Sequence, residues 1–338
     1  MEAGPVRQPL DVPSLEAYVH RAVPAIQTPL QVHQFPRGQS NPTYQLTAAD
    51  GARYVLRKKP PGRLPAPAAH PIEREYRILD ALRRHGAVPV PRVYSLCEDA
   101  RVLQTPFYIM EFLDGRIFAD GRMPGVSPHH RAALLLTDGP RSRWQDAIRT
   151  LATIHRLDVQ ALGLETLGQP AAFYRRQGST LTRIARQQAH PPRAPLPHLA
   201  AMHRFFACAA SQPRDRSTLV HGDYKIENLI FHPTEPRVLG VIDWEFCTRG
   251  HPLADFCTLT HGHPPSLSPA RTDCTAWYAD LAGWDPTGDL AWGDAFVLFR
   301  TAVLTQTVQA REAGTSRAQD PLPLARAAWA RVQGLSRL

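Results

Sequence analysis

The residues best equipped for chemistry lie in one stretch, His221-Gly222-Asp223-Tyr224-Lys225-Ile226-Glu227-Asn228, which follows the apolar pair Leu219-Val220. A further carboxylate, Asp243, ends the apolar run Val238-Leu239-Gly240-Val241-Ile242 and opens Asp243-Trp244-Glu245. Phosphoryl transfer asks little covalent chemistry of a protein. It needs a carboxylate to orient and deprotonate an attacking hydroxyl, hard oxygen ligands for magnesium, and cations on the phosphates. In that reading Asp223 is the base, and Asn228 and Asp243 are the metal ligands. Each taken alone has a plainer explanation, since an aspartate at a strand end commonly caps or turns the chain. The combination of all three at this spacing favours chemistry.

The elements that must hold these residues follow from the pattern around them. Residues 1–30 read as a lead-in with one short helix at 15–23. Alternation then predicts strands at 31–35, 43–47 and 53–58, with the turn Pro36-Arg37-Gly38 and the hairpin signal Ala49-Asp50-Gly51 between them. The prolines crowded into residues 60–71 predict an irregular surface loop. Ile72, Tyr76, Leu79 and Leu82 at helical spacing predict a helix over 73–84, stopped by Gly86. Strands at 90–96 and 107–112 complete a small sheet. Beyond Asp114-Gly115 long helices take over, at 132–136, 144–156, 199–210 and 292–311, with short strands at 229–231 and 238–242. The expected fold class is α+β. It comprises a lead-in (1–30), a β-rich N-lobe (31–112) and a larger, mainly helical C-lobe (113–338), with a ligand cleft between the lobes.

Composition narrows the partners. Lys and Arg outnumber Asp and Glu by 39 to 30, yet no dense basic run with interleaved aromatics points to nucleic acid. The five cysteines are scattered and form no C-x-x-C pair, which argues against a disulfide framework or a structural zinc site and fits a reducing compartment. The first residues carry no basic-then-apolar signal, and no apolar stretch approaches a membrane span. A soluble, cytoplasmic protein with no membrane and no obligate protein partner is expected.

The loop and the Ile242-Asp243-Trp244 segment resemble the aminoglycoside phosphotransferase and choline kinase-like superfamily, whose catalytic loop reads H-G-D-x-x-x-x-N. The resemblance implies a protein-kinase-like two-lobed fold and use of ATP with Mg2+. Its implied roles are Asp223 as base, Asn228 and Asp243 as magnesium ligands, and His221 as a structural residue of the loop. Other stretches are similar to one subfamily, the kinase-like domain fused to certain acyl-CoA dehydrogenases. They are Phe35 to Tyr44, Tyr54 to Gly62, Asp243-Trp244-Glu245 with Gly250 to Asp255, and Phe299 to Ala302 through Gln306 and Arg311. That likeness runs over about residues 30–312. It implies an acceptor that is a 4-hydroxyacyl-CoA, phosphorylated on its 4-hydroxyl. The other readings are an aminoglycoside or small-alcohol phosphotransferase, and a nucleotide-binding pseudokinase or scaffold.

Gly38-Gln39-Ser40-Asn41 can fold over nucleotide phosphates through backbone N–H groups, the Ser40 hydroxyl and Asn41, although the chain has neither a G-x-G-x-x-G nor a Walker A pattern. A kinase of this type needs a cation on the third strand paired with a carboxylate on the next helix, and Glu75 is the best carboxylate. Arg57 and Lys58 compete for the cation's place, and strand alternation lets only one point into the cleft. Arg57 is in the better register, but its planar fork is not equivalent to an ammonium. Glu111 and Phe112 sit where the lobe-connecting hinge would bind adenine; an ordinary strand end is the plainer explanation. Asp255 reads as a brace for the catalytic loop, or a helix start. His261-Gly262-His263 lacks the further ligands of a zinc site. Trp277, Tyr278 and Trp292 read as core. Tyr174-Arg175-Arg176-Gln177 can meet the phosphates of coenzyme A or form a solvated helix face.

Overall fold

Strands Gln31–Gln34 (β1), Thr43–Thr47 (β2), Arg53–Lys58 (β3), Val93–Cys97 (β4) and Phe107–Glu111 (β5) form an antiparallel sheet ordered β1-β2-β3-β5-β4. The computed structural model describes residues 3–36, 41–60, 72–118, 138–189, 194–261, 268–311 and 320–336, with backbone alone at 138–141 and 310–311. The chain divides into two compact units. One comprises Met1–Thr150, Leu162–Leu164 and Ile226–Cys247; the other comprises Leu151–Ala161, Glu165–Lys225 and Thr248–Leu338.

In the first unit, pairing register sorts the side chains of the sheet. Leu56 lies opposite Ile109 and Tyr44, and these pack with Leu46 and Phe107 beneath Leu15 and Val19 of helix Val12–Ala22 (α1). Asp11 starts α1 by accepting the Ser14 N–H at 3.1 Å. Alternation sends Arg57 and its neighbour Tyr108 to the other face. There helix Ile72–His85 (α2) packs, with Tyr76 edge-on to Tyr108 at 6.1 Å between centroids. Its buried stripe is Ile72, Glu75, Ile78, Leu79 and Leu82. Gly86 ends it at φ +78°, its N–H donating to the Leu82 carbonyl at 3.0 Å, a left-handed cap that glycine adopts at no steric cost. Strand β4 begins at Val93, not at 90, because Pro91 has no N–H to give to the ladder.

The same unit holds the hairpin of Leu229–Phe231 (β6) and Val238–Val241 (β7), in which Leu229 pairs with Val241. Arg116 and Phe231 exchange backbone hydrogen bonds of 2.7 and 2.9 Å. This approach needs Gly115, where a Cβ would sit 2.6 Å from the Phe231 carbonyl oxygen and 2.5 Å from Ile230 Cγ2.

The second unit is mainly helical. Helix Leu290–Arg311 packs against Phe173–Gln188, Leu253–Thr260 and Leu322–Leu335. Gly293 permits its approach to Leu253–Thr260, since a Cβ there would lie 2.5 Å from Cys257 Sγ. Tyr174, Phe206, Trp292 and Phe296 stack edge-on at the centre. Tyr174 therefore belongs to the core and not to a solvated basic face, while Arg175 beside it is exposed. Tyr278 and Trp292 are buried as expected, and Trp277 is half-buried. The helix expected over 199–210 ends at Ala207 and gives way to a 3-10 turn. Strands Thr218–Val220 and Thr248–Gly250 pair antiparallel. The expected loop at 60–71, apart from Pro60, and the expected helix at 132–136 lie outside the described residues. Among the described residues no helix is long and apolar enough to cross a membrane.

Candidate active site

In the second unit, the chain leaves Thr218–Val220 and enters the His221 loop, which is held from below by one buried carboxylate. Asp255, in the first turn of Leu253–Thr260, is fully buried. Its Oδ2 accepts the His221 N–H at 2.7 Å and its Oδ1 accepts the Gly222 N–H at 2.8 Å. His155 Nε2 lies 3.3 Å from Oδ2, and the other ring nitrogen of His155 lies 2.6 Å from the Tyr278 hydroxyl. His221 is itself fully buried, and its Nδ1 accepts the Asp223 N–H at 3.2 Å. Gly222 at φ +85° makes the turn that presents Asp223.

Asp223 has two cationic neighbours. Lys225 Nζ lies 2.8 Å from Oδ2, and Arg300 Nη1 lies 3.9 Å from Oδ1 while Arg300 Nη2 donates to the Gly222 carbonyl at 2.5 Å. Burial works to raise the pKa of Asp223, but the charges of Lys225 and Arg300 outweigh it and hold the carboxyl below its ordinary value. The group is therefore ionised at neutral pH. Neither cation was singled out by reading the sequence. Lys225 was legible two positions after Asp223; Arg300 lies 77 residues away in the chain and is brought there by its helix.

In the first unit, one guanidinium collects three carboxylates. Arg57 Nε lies 3.1 Å from Glu75, and Arg57 Nη2 lies 2.6 Å from Asp243 and 3.1 Å from Glu245. Burial works against the charge of Arg57, yet Glu75 and Asp243 overcome it and hold its pKa well above the ordinary value. Burial also pushes the Glu75 carboxyl up, against the pull of Arg57. Lys58 points to the opposite sheet face, beside Phe107 in register, where burial lowers its pKa. The second Glu75 oxygen accepts the Trp244 N–H at 3.1 Å, tying α2 to the segment after Asp243. Glu245 was not chosen from the sequence. It also accepts from Asn41 Nδ2 at 3.0 Å, so it joins the start of β2 to the end of β3.

Asp243 adopts a left-handed backbone, φ 68° and ψ 55°, which aspartate tolerates better than most residues. The Asn228 carbonyl accepts the Ile242 N–H at 3.0 Å, so Asn228 and Asp243 leave the same end of the hairpin. The carboxamide of Asn228 and the carboxylate of Asp243 are hard oxygen donors of the kind magnesium takes. Charge agrees: three carboxylates face one guanidinium, an excess that a divalent cation would balance. Among the described residues no group of three or more His, Cys, Asp or Glu is disposed as a closed metal cage. His261 instead sits 3.3 Å from Asp294, which Arg271 grips at 2.6 and 2.7 Å.

Glu111 donates its N–H to the Arg92 carbonyl at 2.8 Å and accepts the Arg92 N–H on Oε2 at 3.0 Å, while Phe112 lies under the Arg53 guanidinium at 4.2 Å. Ser40 lies outside the described residues.

A sheet carrying one helix with a buried Arg57–Glu75 pair, together with a braced H-G-D loop on a helical unit, defines an α+β protein of the protein-kinase-like class. The solved structure of a putative aminoglycoside phosphotransferase from Ralstonia eutropha JMP134 is similar over 96% of this chain and 99% of that one, with a TM-score of 0.76 and 33% identity. The chain belongs to the phosphotransferase enzyme family, whose model matches residues 31–290. Membership sets the enzyme class, a phosphotransferase with an alcohol group as acceptor. Among curated relatives, acyl-CoA dehydrogenase family member 11 of Gallus gallus is 42% identical over 264 residues, 76% of this chain and 32% of that protein. Acyl-CoA dehydrogenase family member 10 of Mus musculus is 37% identical over 329 residues, 91% of this chain and 29% of that protein. The chain thus spans about a third of the length of the curated relatives it matches.

Proposed function

We propose that this phosphotransferase uses ATP with Mg2+ to phosphorylate the hydroxyl of a small acceptor, and that the acceptor is a 4-hydroxyacyl-CoA. The observation that carries the kinase chemistry is the Asp223 carboxylate, kept ionised by Lys225 and Arg300 on a loop whose backbone is fixed by Asp255. Asp223 takes the proton of the attacking hydroxyl, and Lys225 is placed to meet negative charge beside it. Asn228 and Asp243 would hold magnesium, which when bound neutralises charge on the phosphates. Arg57, steadied by Glu75 and Glu245, would turn its fork to phosphate oxygens, and Asn41 with Ser40 would lie along them. The excess carboxylate at Arg57 supports the metal assignment. Residues 31–112 would serve as the nucleotide lobe and 113–338 as the acceptor lobe, with Glu111 and Phe112 at the adenine.

The acyl-CoA acceptor is supported by likeness to the longer relatives named as acyl-CoA dehydrogenase family members. A cytoplasmic setting is supported by the five free thiols, four of them buried. The test is ATP-dependent phosphorylation of 4-hydroxyacyl-CoA beside a panel of aminoglycosides and simple alcohols, with wild-type protein and Asp223→Asn. Turnover of the thioester that Asp223→Asn abolishes is expected. Turnover that survives the substitution would refute the mechanism, and turnover only of another acceptor would refute the thioester.

A further inference from the structure

Arg143, in the part of helix Asp138–Arg156 that belongs to the first unit, is a buried arginine with no acid beside it among the described residues. Arg143 is 5% exposed, and its Nε and Nη1 have no hydrogen-bond partner among the described residues. Burial lowers its pKa, and the nearby charge of a second arginine, Arg116, lowers it further. Both guanidinium groups lie against one ring: Arg116 is 5.3 Å from the Phe118 centroid and Arg143 is 5.8 Å from it. Cation–π contact of this kind offsets only part of the desolvation of a guanidinium.

The described carboxylates nearest in sequence are engaged elsewhere. Asp146 takes Arg149 at 2.7 Å and the Val238 N–H at 2.8 Å, and Asp114 takes Arg53 at 2.7 Å. Folding has therefore brought two like charges together, one of them almost fully buried and without a carboxylate partner among the described residues. A buried polar group without a partner in a native fold calls for an explanation, and an absent anion is the one that fits a pair of cations. The backbone position of Arg116 is not free to drift, because its N–H and carbonyl are both hydrogen-bonded to Phe231.

We propose that Arg143 and Arg116 form a phosphate-binding site of this protein, separate from the Arg57 cluster, for a phosphate group carried by a ligand. Two guanidinium forks against one aromatic ring suit the several oxygens of a phosphate, each able to accept paired hydrogen bonds. The phosphates of a coenzyme A thioester and those of a nucleotide share this chemistry. The proposal stands on Arg143 and Arg116 and does not require the thioester acceptor.

The test combines binding with stability in the full chain. Calorimetry would measure coenzyme A, magnesium ADP and inorganic pyrophosphate against wild-type, Arg143→Met and Arg116→Met. At least one phosphate ligand should bind ten or more times more weakly to both variants. Loss confined to coenzyme A assigns the site to the acceptor, and loss confined to ADP assigns it to the nucleotide. Arg143→Met should melt at the same or a higher temperature than wild-type without ligand, because it removes an unpaired buried charge. A residue with a structural ion pair would do the opposite. Unchanged affinity for all three ligands in both variants would overturn the proposal. So would a lower melting temperature of ligand-free Arg143→Met, which would reveal an internal acid partner.

Discussion

Replacing Asp255 by asparagine keeps its size and removes the arrangement on which the His221 loop rests. Both carboxylate oxygens accept, Oδ2 from His221 N–H at 2.7 Å and Oδ1 from Gly222 N–H at 2.8 Å, and the residue is fully buried. An asparagine has one acceptor, so whichever way it turns its NH2 faces a backbone donor. One charge-assisted hydrogen bond is lost, worth about 1.5–3 kcal/mol, and one buried N–H is left unmade, costing about 1–3 kcal/mol. Together these give an expected destabilisation of about 2.5–6 kcal/mol. The displaced backbone carries Asp223, and a misplacement of about 1 Å costs on the order of 100-fold in rate. Urea unfolding gives the first quantity, and kcat under conditions where the variant remains folded gives the second. A loss of stability below about 1 kcal/mol, or a kcat equal to that of wild-type, would refute the assignment of Asp255 as the brace.

Arg57→Lys keeps the charge but gives up the fork that reaches Glu75, Asp243 and Glu245 at once. Expected are a stability loss of about 2–4 kcal/mol in urea unfolding and weaker ATP binding by calorimetry; unchanged values in both would show that one ammonium suffices. The pKa of Asp223 is depressed, so its carboxylate and the stability it brings persist above the unfolded pKa and are lost as pH falls through the lower folded value. Lys225→Met removes a cation 2.8 Å away and should move the acid limb of kcat/KM to higher pH, whereas coincident profiles would exclude Lys225 from setting it. Gly115→Ala would press a Cβ to 2.6 Å from the Phe231 carbonyl oxygen, so a loss of about 1–3 kcal/mol in thermal or urea unfolding is expected from overpacking. Wild-type stability in that variant would mean that Arg116 and Phe231 can separate freely.

Local pattern determined much of this protein. The strands at 31–34, 43–47, 53–58 and 107–111 and the helix at 72–85 were legible within a few residues, because alternation, helical spacing and Gly86 all act over one or two turns of chain. Asp223, Asn228 and Asp243 stood out as candidate site residues from their types and spacing alone. The helix at 271–282 was not legible, since polar residues interrupt its apolar stripe and burial came from neighbours distant in sequence. Tertiary structure alone decided between Arg57 and Lys58 as the partner of Glu75: pairing opposite Tyr108 turns Arg57 toward α2 and sends Lys58 to the other face. It alone brought Glu245 to Asn41, Arg300 to Asp223, and Arg116 beside Arg143. Residue types and spacing can announce a reaction, but which charges meet depends on sheet register and helix packing, and these are set by contacts that no local stretch contains.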